Sequence, residues 1–294
     1  MLSTTICGIK LINPTILASG ILGCTGATLK RVAKHGAAAL VTKSISKNPR
    51  EGWKNPTIVE MGECLINAIG LANPGYKEFA TELKIARESE VPIILSVVGD
   101  SPEEYAEVAH ALQEYCDAIE LNLSCPNIKG EPFAHRADSS YEVVKEVKKR
   151  VKLPVIAKLS ASVGDIVEIA KACEEAGADG ITAINTIKAM KIDINLRKPI
   201  LANVTGGLSG KCIKPIAVRC VYEIANEVNI DVIGCGGVYR GEDALEFLMA
   251  GAKAVEIGTG VYIEGLDVFR KVCEEIKQYL EKNNLSLHEI IGVA

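Results

Sequence analysis

The chain has 294 residues, of which 48% are hydrophobic, 24% charged and 4% aromatic, with a formal net charge of −4. That balance excludes a disordered chain and the strongly basic surface of a nucleic-acid binder. No apolar run approaches the about 18 residues that cross a membrane, and Met1-Leu2-Ser3-Thr4-Thr5 lacks the basic start and apolar core of a secretory signal, so a cytoplasmic protein is expected.

Eight short apolar strands are expected near 15–18, 39–43, 93–97, 118–122, 155–159, 180–184, 231–235 and 254–258. Helical patterns alternate with them near 28–35, 76–88, 102–115, 140–151, 165–176, 214–228, 241–250 and 266–282. Ser101-Pro102-Glu103-Glu104 combines a cap, a proline at N1 and acids in the first turn. A helix-ending glycine followed by alanine and an apolar strand recurs at Gly36-Ala37, Gly177-Ala178 and Gly251-Ala252. Strands that alternate with helices make an α/β protein with a parallel sheet. Eight such units fit a (β/α)8 TIM barrel, expected as a single domain over 1–294. A doubly wound open sheet is the competing architecture, but no Gly-x-Gly-x-x-Gly follows the first strand. Helix-to-strand connections are short, whereas three strand-to-helix connections, 44–75, 123–139 and 185–213, are long. All three open on the C-terminal face, where barrel active sites are built.

The ten cysteines show no metal-ligand spacing, so no metal site is expected, and they read as reduced, buried thiols. Cys125 differs, because it lies in a loop between Ser124 and Pro126. A thiol there suits a nucleophile or a general base, or it is a chance cysteine in a turn. Gly236-Gly237 after the seventh strand and Gly258-Thr259 after the eighth occupy the usual barrel phosphate site; the blander alternative is that they turn the chain. Lys43 and Lys158 each finish an apolar strand. A buried ammonium needs a partner, so two on one rim favour an anionic ligand over side chains that only reach solvent. Asn67, Asn122, Asn127 and Asn185 put four amides on one face, with Thr186 adjacent. Amides suit a flat ring with alternating donors and acceptors, although each could also be a simple turn or cap.

These segments, in order, resemble the class 1 dihydroorotate dehydrogenases over nearly the full length. They are Ala18-Ser19-Gly20, Thr42-Lys43-Ser44, Asn67 through Gly75, Glu120 through Asn127, Ala157-Lys158-Leu159-Ser160, Ile184-Asn185-Thr186, Gly206 through Gly210, Gly236-Gly237 and Gly258-Thr259. Thr205 through Gly210 followed by Ile213-Lys214-Pro215 is similar to the B subtype in particular. The resemblance implies an FMN-bound barrel that oxidises (S)-dihydroorotate to orotate in pyrimidine biosynthesis, with hydride passing from C6 to flavin N5 and Cys125 as the base. It implies cofactor contacts at Ser19, Lys43, Ser44, Ser96, Asn122, Lys158, Ile184, Gly210, Gly236, Gly237, Gly258 and Thr259, with Lys158 near the flavin's pyrimidine ring. It implies substrate contacts at Lys43, Asn67, Ala68, Ile69, Gly70, Leu71, Asn122, Asn185 and Thr186. The B subtype further implies a homodimer joined to a subunit carrying FAD and a [2Fe-2S] cluster, a heterotetramer that passes electrons to NAD, with neither nucleic acid nor membrane as partner. Ser96 stands where family members carry asparagine, and Lys211 where the B subtype carries proline. A fumarate-reducing A subtype, a dihydropyrimidine dehydrogenase-like flavin barrel and a non-redox phospho-ligand barrel are the alternatives.

Overall fold

The computed structural model describes residues 2–123 and 136–294. A hairpin of β1 (Thr4–Ile6) and β2 (Ile9–Leu11) precedes β3 (Thr15–Leu17), α1 (Gly26–Lys34) and β4 (Ala39–Val41). The segment 44–75 carries β5 (Ile58–Met61) and β6 (Cys64–Asn67) ahead of α2 (Tyr76–Arg87). There follow β7 (Ile93–Val97), α3 (Pro102–Leu112), β8 (Ala118–Asn122), α4 (Ala137–Arg150), β9 (Val155–Leu159), α5 (Ile166–Glu175) and β10 (Gly180–Ala183). The segment 185–213 carries β11 (Ile187–Ala189), β12 (Ile192–Asp193), β13 (Lys198–Pro199) and β14 (Gly206–Gly210). The chain ends with α6 (Lys214–Ala225), β15 (Asp231–Cys235), α7 (Gly241–Met249), β16 (Ala254–Ile257), α8 (Thr259–Glu264), α9 (Val268–Asn283) and α10 (Leu287–Ile290).

Eight parallel strands close into a barrel in the order β10-β15-β16-β3-β4-β7-β8-β9, which is the (β/α)8 TIM barrel expected from the alternation. The local signals act where they were read. Ser101 accepts from the Glu104 N–H at the start of α3, with Pro102 in its first turn. Gly36, Gly177 and Gly251 all have positive φ, the conformation that ends a helix and releases the chain into the next strand.

The apolar core has two layers. One lies between the strands and the helix ring, with Leu40, Leu95, Phe79 and Phe247 fully buried. The other fills the barrel's N-terminal end, where Ile6 and Leu11 of the hairpin pack against Ile16, Ile94, Ile156 and Ile233. Burying each of these side chains is worth about 1.5–3 kcal/mol. The hairpin therefore plugs the bottom, a role that its three-residue strands were too short to announce in the sequence.

Two of the long connections are not unstructured loops. Strands from 44–75 and 185–213 form one antiparallel sheet in the order β11-β14-β6-β5, which stands over the barrel mouth. Its register pairs Cys64 with Gly210, and that brings Cys212 onto Cys64. These two form a disulfide with a Cα–Cα distance of 6.3 Å. Cys24 and Cys212 are exposed. The expectation of reduced, buried thiols is corrected at Cys24, Cys64 and Cys212. Cross-strand pairing of residues 148 apart has no periodic trace in the sequence.

Candidate active site

The C-terminal ends of the strands carry a chain of polar side chains across the barrel mouth. Ser19, just after β3, donates to the Thr42 carbonyl at 2.8 Å and lies 3.4 Å from the Ser44 hydroxyl. Ser44 is 2.9 Å from the Ser96 hydroxyl and accepts from Asn122 Nδ2 at 3.0 Å. Asn122 Oδ1 in turn accepts from Asn185 Nδ2 at 3.1 Å, and Asn185 Oδ1 accepts from the Thr186 N–H at 2.8 Å. Five strand ends are thereby tied together, and Ser44, Ser96 and Asn122 are all buried. Ser96, in the place of an asparagine, still joins the chain through its hydroxyl. Tyr105 of α3 fixes the Asn122 backbone from behind by donating to its carbonyl at 2.7 Å.

Lys43 follows β4 and is 8% exposed. Its ammonium forms no ion pair with any described residue; burial lowers its pKa, and only the Cys24 thiol opposes that. An ammonium held this way is set for an anion brought by a ligand. Lys158 in β9 is equally buried but fully engaged. Its Nζ lies 2.5 Å from Glu256 Oε2 and 3.5 Å from Glu120 Oε1. Burial alone would lower this lysine, yet the two carboxyl groups outweigh it and raise its pKa above the ordinary value. The buried partners were not anticipated, although an acid inside Ala118-Ile119-Glu120-Leu121 and inside Ala254-Val255-Glu256-Ile257 is the same signal that singled out the lysines.

The sheet over the mouth places a second group. Asn67 ends β6 opposite Gly207, donating its Nδ2 to the Gly207 carbonyl at 3.3 Å. A Cβ on Gly207 would lie 2.1 Å from Thr186 Oγ1, so only glycine lets this strand pass against Thr186. Ala68 is buried, and Ile69, Gly70 and Leu71 are half-buried, with Gly70 and Leu71 at positive φ. Asn73 shapes their turn, accepting from the Ser46 and Gly75 N–H groups and donating to the Leu71 carbonyl at 2.8 Å.

The glycines converge on the far side of the mouth. Gly236 and Gly237 have φ of 134° and 79°, and a Cβ on Gly237 would lie 2.8 Å from the Gly210 carbonyl. A Cβ on Gly260 would lie 2.4 Å from the Val238 carbonyl, so the turns after β15 and β16 touch. Thr259 Oγ1 donates to Ser209 Oγ at 2.8 Å. Gly258 meets nothing closer than Ala18 Cβ at 3.5 Å. Close-set bare backbone of this kind can hold a phosphate. Ile184 is buried at the end of β10. Cys125, Asn127 and His135 lie outside the described residues.

No helix among the described residues is long and apolar enough to cross a membrane. The sequence profile of the dihydroorotate dehydrogenase family matches residues 1–280. The dihydroorotate dehydrogenase B (NAD(+)), catalytic subunit, of Methanocaldococcus jannaschii is 52% identical over 300 residues, covering 100% of this chain and 98% of that one. Its counterpart of the same name from Pyrococcus abyssi is 50% identical over 297 residues, with 100% and 99% covered. That from Thermoplasma acidophilum is 48% identical over 297 residues, with 100% and 98% covered. Half of all positions are thus shared from end to end with proteins of one name, and the chain belongs to the dihydroorotate dehydrogenase family.

Proposed function

We propose that this chain oxidises (S)-dihydroorotate to orotate in pyrimidine biosynthesis, as the catalytic subunit of an NAD-linked enzyme. The observation that carries this is Lys43, an ammonium buried at a strand end with no ion partner among the described residues, next in sequence to Ser44, where a continuous line of amides and hydroxyls begins. A small planar ring with a carboxylate satisfies both features at once.

The residues present fit FMN. Gly236, Gly237, Gly258 and Thr259 would hold its phosphate, Ser19, Ser44, Ser96, Ile184 and Gly210 would line its ring, and Lys158 would supply positive charge near its pyrimidine ring. When bound, FMN supplies a two-electron acceptor at the mouth. Lys43, Asn67 through Leu71, Asn122, Asn185 and Thr186 would orient the substrate by charge and hydrogen bonds. Cys125 would take the proton from C5, which is acidic because it lies alpha to a carbonyl. Among relatives named catalytic subunit, a companion is implied. Here it would carry FAD and a [2Fe-2S] cluster, dock onto a homodimer of this chain and pass electrons to NAD in the cytoplasm.

Anaerobic mixing of the FMN-loaded chain with dihydroorotate tests the substrate. The yellow absorbance is expected to bleach with dihydroorotate and to persist with dihydrouracil, which lacks the carboxylate; the reverse outcome overturns the assignment. Reoxidation of the isolated chain by NAD should need the companion subunit, and rapid reoxidation by fumarate alone would contradict the NAD-linked assignment.

A further inference from the structure

Below the mouth, five strands send side chains to one buried cluster. Glu120 and Glu256 come from β8 and β16, on opposite sides of the barrel, and are 0% and 1% exposed. Lys158, 5% exposed, bridges them at 3.5 Å and 2.5 Å. Thr182 of β10 touches both, its Oγ1 lying 3.1 Å from Glu120 Oε2 and 3.4 Å from Glu256 Oε1. One hydroxyl proton can serve only one of two carboxylates. Among the described residues, Glu120 Oε1 has no hydrogen-bond partner. With both acids ionised, one ammonium would face two carboxylates and leave a net negative charge in a dry interior, which is strongly unfavourable.

We propose that Glu120 and Glu256 share a single proton and together form the counter-charge of Lys158, so that the barrel interior beneath the cofactor site is electrically neutral. Burial first, and then the Glu256 charge, push the Glu120 carboxyl well up, against the pull of Lys158. The other titratable group facing the cluster is the Cys235 thiol of β15, which burial pushes up to about 12 and so keeps neutral. The hydrogen bonds of both acids run to Thr182 and Lys158 rather than to the line of side chains at the mouth, and both act as positioning residues that set how much of the Lys158 charge is felt above. The effect on flavin rests on the FMN assignment made above, whereas the shared proton does not.

Infrared spectra of the full chain at pH 7, with and without flavin and in both H2O and D2O, test the proton directly. Wild type is expected to show a protonated-carboxyl band that shifts in D2O. Glu120→Gln and Glu256→Gln, both isosteric, should each lose it, because the remaining carboxyl then ionises against Lys158. Absence of the band in wild type, or its survival in either variant, overturns the proposal. Sulfite titration of the bound flavin reads the charge balance. Single variants should bind sulfite within about twofold of wild type, whereas the double variant, with Lys158 unbalanced, should bind it about tenfold more tightly. Equal affinity in all four proteins overturns the charge balance. A wild-type chain that takes up no FMN overturns the cofactor assignment instead, and the infrared result then decides the proton alone.

Discussion

Lys43 and Lys158 are the same residue, at the ends of two strands of one barrel, 8% and 5% exposed, yet they sit in opposite electrostatic settings. Around Lys158 the protein brings its own carboxyl groups, and the lysine is raised. Around Lys43 it brings burial and the Cys24 thiol but no carboxylate among the described residues, and the lysine is lowered. The barrel interior completes its own charge balance, while the mouth leaves one charge for a ligand to complete. Substitutions at the mouth should therefore cost activity more than stability, whereas replacing Lys158 in the interior should cost stability first.

The largest effect expected on activity is from Cys125→Ala. Flavin reduction by dihydroorotate should slow by about 10²–10⁴-fold in rapid mixing, with flavin still bound. In wild type the same rate should rise with pH until the thiol is ionised, whereas a flat profile would remove the thiolate from the reaction. The sharpest contrast is between the two lysines. Lys158→Met strands two buried acids and should lower unfolding free energy in urea by about 3–5 kcal/mol. Lys43→Met removes an uncompensated charge and should leave stability equal or higher, while orotate binding, followed by its perturbation of the flavin spectrum, weakens by about tenfold or more.

The pH dependence of stability sharpens the same point. Lys43 is lowered in the folded state, so between that value and its ordinary 10.5 the unfolded chain binds more protons. The cost of burying its charge is full below that window and fades as pH rises through it. Wild type should thus gain on Lys43→Met with rising pH, as seen in unfolding measured from neutral to alkaline pH. Lys158 is raised, so its contribution is full below 10.5 and fades only above it. The smallest effect is at Ser44, which accepts from Asn122 and lies 2.9 Å from Ser96. Ser44→Ala should cost about 1 kcal/mol of stability and weaken flavin retention modestly, read by equilibrium dialysis.

Much of the fold was legible because barrel strands and helices are local. Strands at 93–97, 118–122, 155–159 and 231–235 fall where the apolar runs lie. Helix starts were less legible: α1 begins at Gly26 and α4 at Ala137, two and three residues before their apolar patterns strengthen. The sheet built from 44–75 and 185–213 left no such trace, since its two halves are joined by β6 and β14, which pair across more than a hundred residues. At the site, motif residues such as Ser19, Ser44, Asn122 and Asn185 do converge on one mouth. The pairing of Glu120 and Glu256 with Lys158 is not legible in the sequence, because each acid stands alone in its strand until the barrel closes.

What the sequence determined by itself was the period of the chain: strand, helix, strand again, eight times, with a glycine at three of the joints and the unusual residues gathered at one end. Hydrophobic patterning and helix caps act over a few residues, so they are written in order along the chain. Which charges meet was decided only by the closed barrel. Coulombic pairing depends on separation in space, and the 2.5 Å between Lys158 and Glu256 spans 98 residues of sequence.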